Sequence, residues 1–208
     1  MQDAQARDTP PPVPQAAAKI DTRKALVVFG DSLSAGYGLE PGQSFPDALQ
    51  RKLDAEGYRW RVVNLGISGD TTEGGVSRIG SATSLKPAIV IVELGGNDGL
   101  RGLPLKATRA NLEQMIGAFE RSGARVALSG MTLPPNYGPD YIRSFEKMYR
   151  DLAAEHKLAL IPFLLSDIVT KDLRYLQRDG IHPTAEGAEI VAGTVLRAVK
   201  PLLGAPAR

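Results

Sequence analysis

The chain of 208 residues contains no cysteine, which excludes disulfides, thiol nucleophiles and thiolate metal sites. It has two histidines, His156 and His182, too few for a multi-histidine zinc site, so few groups are available to move protons near neutral pH. No apolar run approaches the roughly 20 residues that span a bilayer, and no stable membrane insertion is expected. An excess of one charge is also missing. The 25 Lys and Arg stand against 23 Asp and Glu, for a net charge of +2 without a long basic run, so neither nucleic acid nor an anionic membrane surface is expected as a principal partner.

What is present is ordinary for a globular protein: 43% hydrophobic and 23% charged residues. The length suits one domain with a single sizeable core. Residues 1–23, with Pro10-Pro11-Pro12, Pro14 and Ala16-Ala17-Ala18, read as a flexible tether lacking the apolar core of a signal peptide. Residues 204–208 read as a short tail. The domain is expected over residues 24–203, as a monomer.

Five apolar runs predict strands: Ala25–Phe29, Arg61–Leu65, Ala88–Leu94, Val126–Ser129 and Leu158–Ile161. Their near-continuous hydrophobicity suits parallel strands covered on both faces. Helices are predicted between them near 44–56, 71–82, 106–122, 139–156 and 184–203. In the last, Ala188, Ala192, Val195, Val199 and Leu202 recur at steps of four and three, forming one apolar face. The alternation predicts a doubly wound α/β domain with right-handed crossovers, in which ligands bind beyond the carboxyl ends of the strands.

Polar and glycine residues cluster at three of those ends: Gly30-Asp31-Ser32-Leu33-Ser34-Ala35-Gly36, Gly66-Ile67-Ser68-Gly69-Asp70 and Gly95-Gly96-Asn97-Asp98. A further turn, Asp179-Gly180-Ile181-His182-Pro183, can fold back onto the same edge. Together they hold the parts for acyl transfer. A serine hydroxyl needs a base, and the base needs a third group to orient it. Ser32, His182 and Asp179 fill these roles, with Gly180 allowing a tight turn and Pro183 expected at the first position of the last helix. Negative charge on the carbonyl oxygen needs donors. The Ser32 N–H, the Gly66 N–H and the Asn97 amide are the candidates.

These blocks, in order over about residues 24–203, resemble the SGNH (GDSL-type) hydrolase superfamily, and their longer strings are similar to its bacterial thioesterase and lysophospholipase members. The resemblance implies a three-layer α/β/α, flavodoxin-like sheet of about five parallel strands. It implies Ser32 as nucleophile and oxyanion donor, Gly66 and Asn97 as further donors, His182 as base and Asp179 as its partner. It also implies a small acyl ester or thioester substrate, no metal and no organic cofactor. Chain-length selection is expected from Gly99, Leu100 and Leu103, in the loop after the third block, and from Leu133, Pro134, Asn136 and Tyr137. By the same resemblance the location is periplasmic or secreted; a cytoplasmic protein with a disordered arm is the other reading.

Each block alone also has a plainer meaning. Asp31 or Ser32 can cap a helix, Gly95-Gly96-Asn97-Asp98 can be a turn, and Asp179 with His182 can sit on a surface loop. His156 reads as a helix-end cation. The Gly-Lys-Ser/Thr ending of a phosphate loop and the Gly-x-Ser-x-Gly elbow are both missing. A carbohydrate acetylesterase and a non-catalytic binding module remain as alternatives.

Overall fold

The computed structural model describes residues 21–170 and 172–206. Nearly all of the tether expected over 1–23 and the last two residues of the tail lie outside these. Strands β1 (Lys24–Gly30), β2 (Trp60–Asn64), β3 (Ile89–Glu93), β4 (Arg125–Ser129) and β5 (Ala159–Ile161) form one parallel sheet in the order β2-β1-β3-β4-β5. The helices are α1 (Ser32–Ala35), α2 (Phe45–Ala55), α3 (Thr72–Ser77), α4 (Ile79–Thr83), α5 (Gly96–Leu100), α6 (Leu105–Arg121), α7 (Pro139–Glu155), α8 (Ser166–Val169) and α9 (Ala185–Leu203).

Because successive strand residues point to opposite faces, β1 to β4 feed two cores. Leu26, Val28, Ile89, Ile91, Ala127 and Ile161 meet α2 and α9 on one face. Val27, Phe29, Val90, Val92, Val126 and Leu128 meet α6 and α7 on the other. The periodic face of α9 packs as expected, with Ala188, Ala192, Val195 and Val199 buried and Leu202 partly buried. The strand order reverses at β1, between β2 and β3. Ser32 follows β1 and Asn97 follows β3, so both stand at the switch point where such sheets bind ligands.

Two expectations are corrected. The helix predicted over 71–82 is broken at Arg78, where φ is −116° and ψ 16°. The Gly74-Gly75 pair weakens that helix, and the Arg78 side chain turns inward to hydrogen-bond the loop before it. Pro183 is not the first residue of α9. Thr184 is the N-cap, its hydroxyl accepting from the Gly187 N–H, and the helix starts at Ala185. Pro183 instead forms an isolated antiparallel bridge with Leu176 and accepts a hydrogen bond from Gln177 Nε2 at 2.9 Å, pinning the loop ahead of the helix.

Candidate active site

Ser32 is the first residue of the one-turn helix α1 at the end of β1. Asp31 caps this turn, its Oδ1 accepting the Leu33 N–H at 3.1 Å. The capping reading is therefore true of Asp31, and it serves to present Ser32. His182 comes from the loop before α9. Its Nε2 lies 2.8 Å from Ser32 Oγ and its Nδ1 lies 2.7 Å from Asp179 Oδ2. Asp179 Oδ1 also accepts the N–H groups of Ile181 at 2.9 Å and His182 at 3.0 Å, around Gly180 with φ 70°. Partial burial raises the Asp179 pKa, but these two N–H groups and the His182 ring outweigh it and hold the carboxyl at about 2. The base thus has a permanently ionised partner.

Beneath the serine lies a carboxyl that sequence reasoning passed over. Glu93 ends β3 and has no exposed surface. Its Oε2 accepts the Asp31 N–H at 3.2 Å and the Ser34 hydroxyl at 2.5 Å, while Oε1 has no partner. Burial, and then the charge of Asp31, push Glu93 well above the usual carboxylate range. Burial likewise raises Asp31, to about 6. A neutral Glu93 is the consistent state, because an unpaired buried charge costs about 3–5 kcal/mol, against about 1–3 kcal/mol for one unmet neutral polar atom. The signal was visible as the one acid in the apolar run Ala88–Leu94.

The donors are arranged differently from expectation. Among the described residues the Ser32 N–H has no partner. The Gly66 N–H, however, donates to Asn64 Oδ1 at 2.9 Å, and a Cβ on Gly66 would stand 2.3 Å from the Ala35 backbone nitrogen. Gly66 is a packing position for α1. Among the described residues the N–H groups of Ser68 and Gly69 in this loop have no partner, and Gly69 is the third residue of a turn closed by Asp70 N–H to Ile67 carbonyl at 3.1 Å, with φ 78°. That positive φ is what a type II turn demands. Asn97 Nδ2 donates to the Asp70 carbonyl at 2.9 Å and to Asp31 Oδ2 at 3.1 Å, so it bridges the loops after β1 and β2. Two glycines three apart in one block made Gly66 and Gly69 indistinguishable by residue type.

The residues expected to shape the acyl site fall into two groups. Gly99 is buried, and a Cβ there would meet Leu133 at 2.7 Å and Phe145 at 2.9 Å. Leu133 is itself buried. Both pack the wall behind the loops and do not line a surface, because the short helix α5 turns Gly99 toward α7. Leu103, Pro134 and Asn136 are exposed, and Leu100 and Tyr137 are half-buried. Tyr137 Oη donates to the Leu100 carbonyl at 2.7 Å, tying the two loops together. Sequence reasoning also missed Tyr37, whose exposed ring lies 4.6 Å from the His182 ring. No cluster of three or more His, Asp or Glu among the described residues is placed to hold a metal ion.

The GDSL-like Lipase/Acylhydrolase family matches residues 28–190. The chain belongs to this family. It is 44% identical over 190 residues to "Esterase TesA" of Pseudomonas aeruginosa, covering 91% of this chain and 92% of that one. It is 36% identical over 188 residues to "Thioesterase 1/protease 1/lysophospholipase L1" of Escherichia coli, covering 90% and 87%. A crystal structure of TesA superposes with a TM-score of 0.82 at 45% identity, covering 86% of this chain and 100% of that one. Of the blocks quoted from the sequence, three follow β1, β2 and β3, and the fourth lies in the loop before α9.

Proposed function

We propose that this GDSL-type protein is a serine hydrolase that cleaves carboxylic esters and acyl thioesters through an acyl-enzyme on Ser32. The observation that carries this reading is the continuous relay from Asp179 Oδ2 to His182 Nδ1 at 2.7 Å and from His182 Nε2 to Ser32 Oγ at 2.8 Å. His182 removes the Ser32 proton as Oγ attacks the carbonyl carbon. The tetrahedral oxygen receives the free N–H groups of Ser32 and Gly69 and the amide of Asn97. Asn97 exchanges its longer bond, to Asp31, for the oxyanion and keeps its shorter one, to the Asp70 carbonyl. His182 then returns the proton to the departing alcohol or thiol. Water, deprotonated by His182, releases the carboxylic acid and Ser32.

The acyl chain is assigned to the surface between the loops at 99–105 and 133–138, joined by Tyr137, with the exposed side chains of Tyr37, Ile67 and Ile181 around the serine. Such apolar exposure favours medium acyl chains over sugar-borne acetate. No helix among the described residues is long and apolar enough to cross a membrane. A periplasmic or secreted location and a monomeric state complete the reading, to be checked by cell fractionation and sedimentation.

The deciding experiment is a panel of short to long p-nitrophenyl esters, acyl-CoA thioesters and lysophospholipids on wild type and Ser32→Ala. Hydrolysis by the wild type that vanishes in the variant is expected. Hydrolysis retained by pure Ser32→Ala would overturn the reading. A preference for acetylated sugars would shift it to a carbohydrate acetylesterase.

A further inference from the structure

Arg78 stands outside the triad and its donors, yet one guanidinium touches both the end of β1 and the loop after β2. Its side chain is 14% exposed and that of Asp70, its ion-pair partner, 12%. Nε donates to Asp70 Oδ2 at 2.7 Å, Nη1 to the Leu65 carbonyl at 2.7 Å and Nη2 to the Gly30 carbonyl at 2.9 Å. The guanidinium carbon lies 3.9 Å from the centroid of the Phe29 ring, whose face attracts the cation.

The three acceptors have a pattern. Leu65 and Asp70 are the two ends of the loop that carries Gly69. Gly30 leads directly into Asp31 and Ser32, and its carbonyl also accepts the Ile67 N–H at 3.0 Å. Leu65 carbonyl and Gly66 N–H belong to one planar peptide. Arg78 holds its oxygen and Asn64 holds its nitrogen, so that plane cannot rotate. Asp70, fixed by Arg78, offers its own carbonyl to Asn97 at 2.9 Å. Between these anchors Ile67, Ser68 and Gly69 are exposed and draw little support from the core.

We propose that Arg78 is a positioning residue for acyl transfer: it clamps the 65–70 loop at both ends and, through Asp70, the Asn97 amide, keeping the oxyanion donors aligned. This rests on the reading above that these groups bind the oxyanion. A planar fork is needed for three acceptors in three directions, which a lysine ammonium does not reproduce. Stability alone gives weak reason for the arrangement, since a buried ion pair commonly contributes little beyond an apolar substitute of the same volume. The inward turn of Arg78 also accounts for the break between α3 and α4.

The test uses purified Arg78→Lys, Arg78→Gln and Asp70→Asn, each with and without Asn97→Ala, assayed on p-nitrophenyl butyrate alongside thermal melts. Arg78→Gln is expected to lower kcat by about 10–100-fold, below the full loss of a donor, with KM within about threefold. Arg78→Lys and Asp70→Asn should fall between it and wild type. In the Asn97→Ala background the Arg78→Gln loss should shrink, because one donor it aligns is gone. A folded Arg78→Gln protein with kcat within twofold of wild type, a loss carried by KM, or full additivity with Asn97→Ala would each overturn the proposal. Failure of all three single variants to fold would also overturn it, by making Arg78 a fold residue only. Activity surviving in Ser32→Ala would overturn the site assignment instead, and is read separately.

Discussion

Asp179 grips His182 at two points: Oδ1 accepts the backbone N–H at 3.0 Å and Oδ2 meets ring Nδ1 at 2.7 Å. Backbone and ring are thereby oriented by one carboxylate, which leaves Nε2 to face Ser32. Asp179→Asn keeps the shape but offers an amide where an acceptor is needed. It should lower kcat by about 10³–10⁴ with KM little changed, measured on a p-nitrophenyl ester. Because the Asp179 carboxyl is held at about 2, it stays ionised through the working range. The acid fall in kcat/KM must then come from a group other than Asp179. A Ser32-labelling rate that shows the same acid limb would agree; an activity maximum at strongly acidic pH would contradict it.

The two glycines of the second block should separate in their effects. Gly66→Ala places a methyl 2.3 Å from the Ala35 nitrogen and should lower the melting temperature by several degrees, equivalent to about 1–3 kcal/mol of overpacking. At Gly69 a Cβ meets no heavy atom closer than 3.9 Å, but φ is 78°. Gly69→Ala should therefore distort the turn and lower kcat more than it lowers the melting temperature. Asn97→Ala should lower kcat by about 10²–10³. Fast Gly69→Ala beside a stable but slow Gly66→Ala would return the donor role to Gly66.

Glu93 makes stability depend on pH in a direction opposite to that of Asp179. Its folded pKa is raised, so the folded state holds a proton that the unfolded chain releases. The stability it contributes is complete below the ordinary 4.5 and is lost as pH rises through the raised value. Asp31, raised to about 6, acts in the same sense. Glu93→Gln keeps an oxygen for the Asp31 N–H and the Ser34 hydroxyl and cannot ionise. Its stability relative to wild type should grow from pH 5 to pH 9, by up to about 1.4 kcal/mol per pH unit where only the wild type titrates. Urea unfolding at both ends of that range measures it, and a difference independent of pH would show Glu93 to be ionised throughout.

Tyr137 should matter for long acyl chains and not for short ones. Its hydroxyl joins the loops at 99–105 and 133–138 through the Leu100 carbonyl at 2.7 Å. Removing this bond in Tyr137→Phe loosens the two loops by the worth of one hydrogen bond, about 1 kcal/mol or roughly fivefold. The kcat/KM ratio of decanoyl to acetyl esters should change by about that factor while the acetyl rate holds. An unchanged ratio would place the acyl chain elsewhere.

Residue type and order determined a great deal of this protein. Five apolar runs became five parallel strands; in β1, β3 and β4 burial on both faces leaves no polar alternation to misread. Ser32, Asp179 and His182 were legible because their chemistry is rare here: two histidines in the chain, no cysteine, and an acid three residues before His182. What only the tertiary structure decided are matters of direction and partnership. Which of Gly66 and Gly69 keeps a free N–H depends on where the Asn64 side chain turns. Whether Gly99 lines a surface or packs a wall depends on the placement of α7 behind α5. Arg78 and Glu93 look like a surface cation and a strand-end acid in the chain, and acquire their roles only when Gly30, Leu65 and Asp70, or Asp31 and Ser34, arrive beside them. A local pattern specifies which groups exist and which face they share; a hydrogen bond between distant residues exists only once the sheet has brought both partners to one edge.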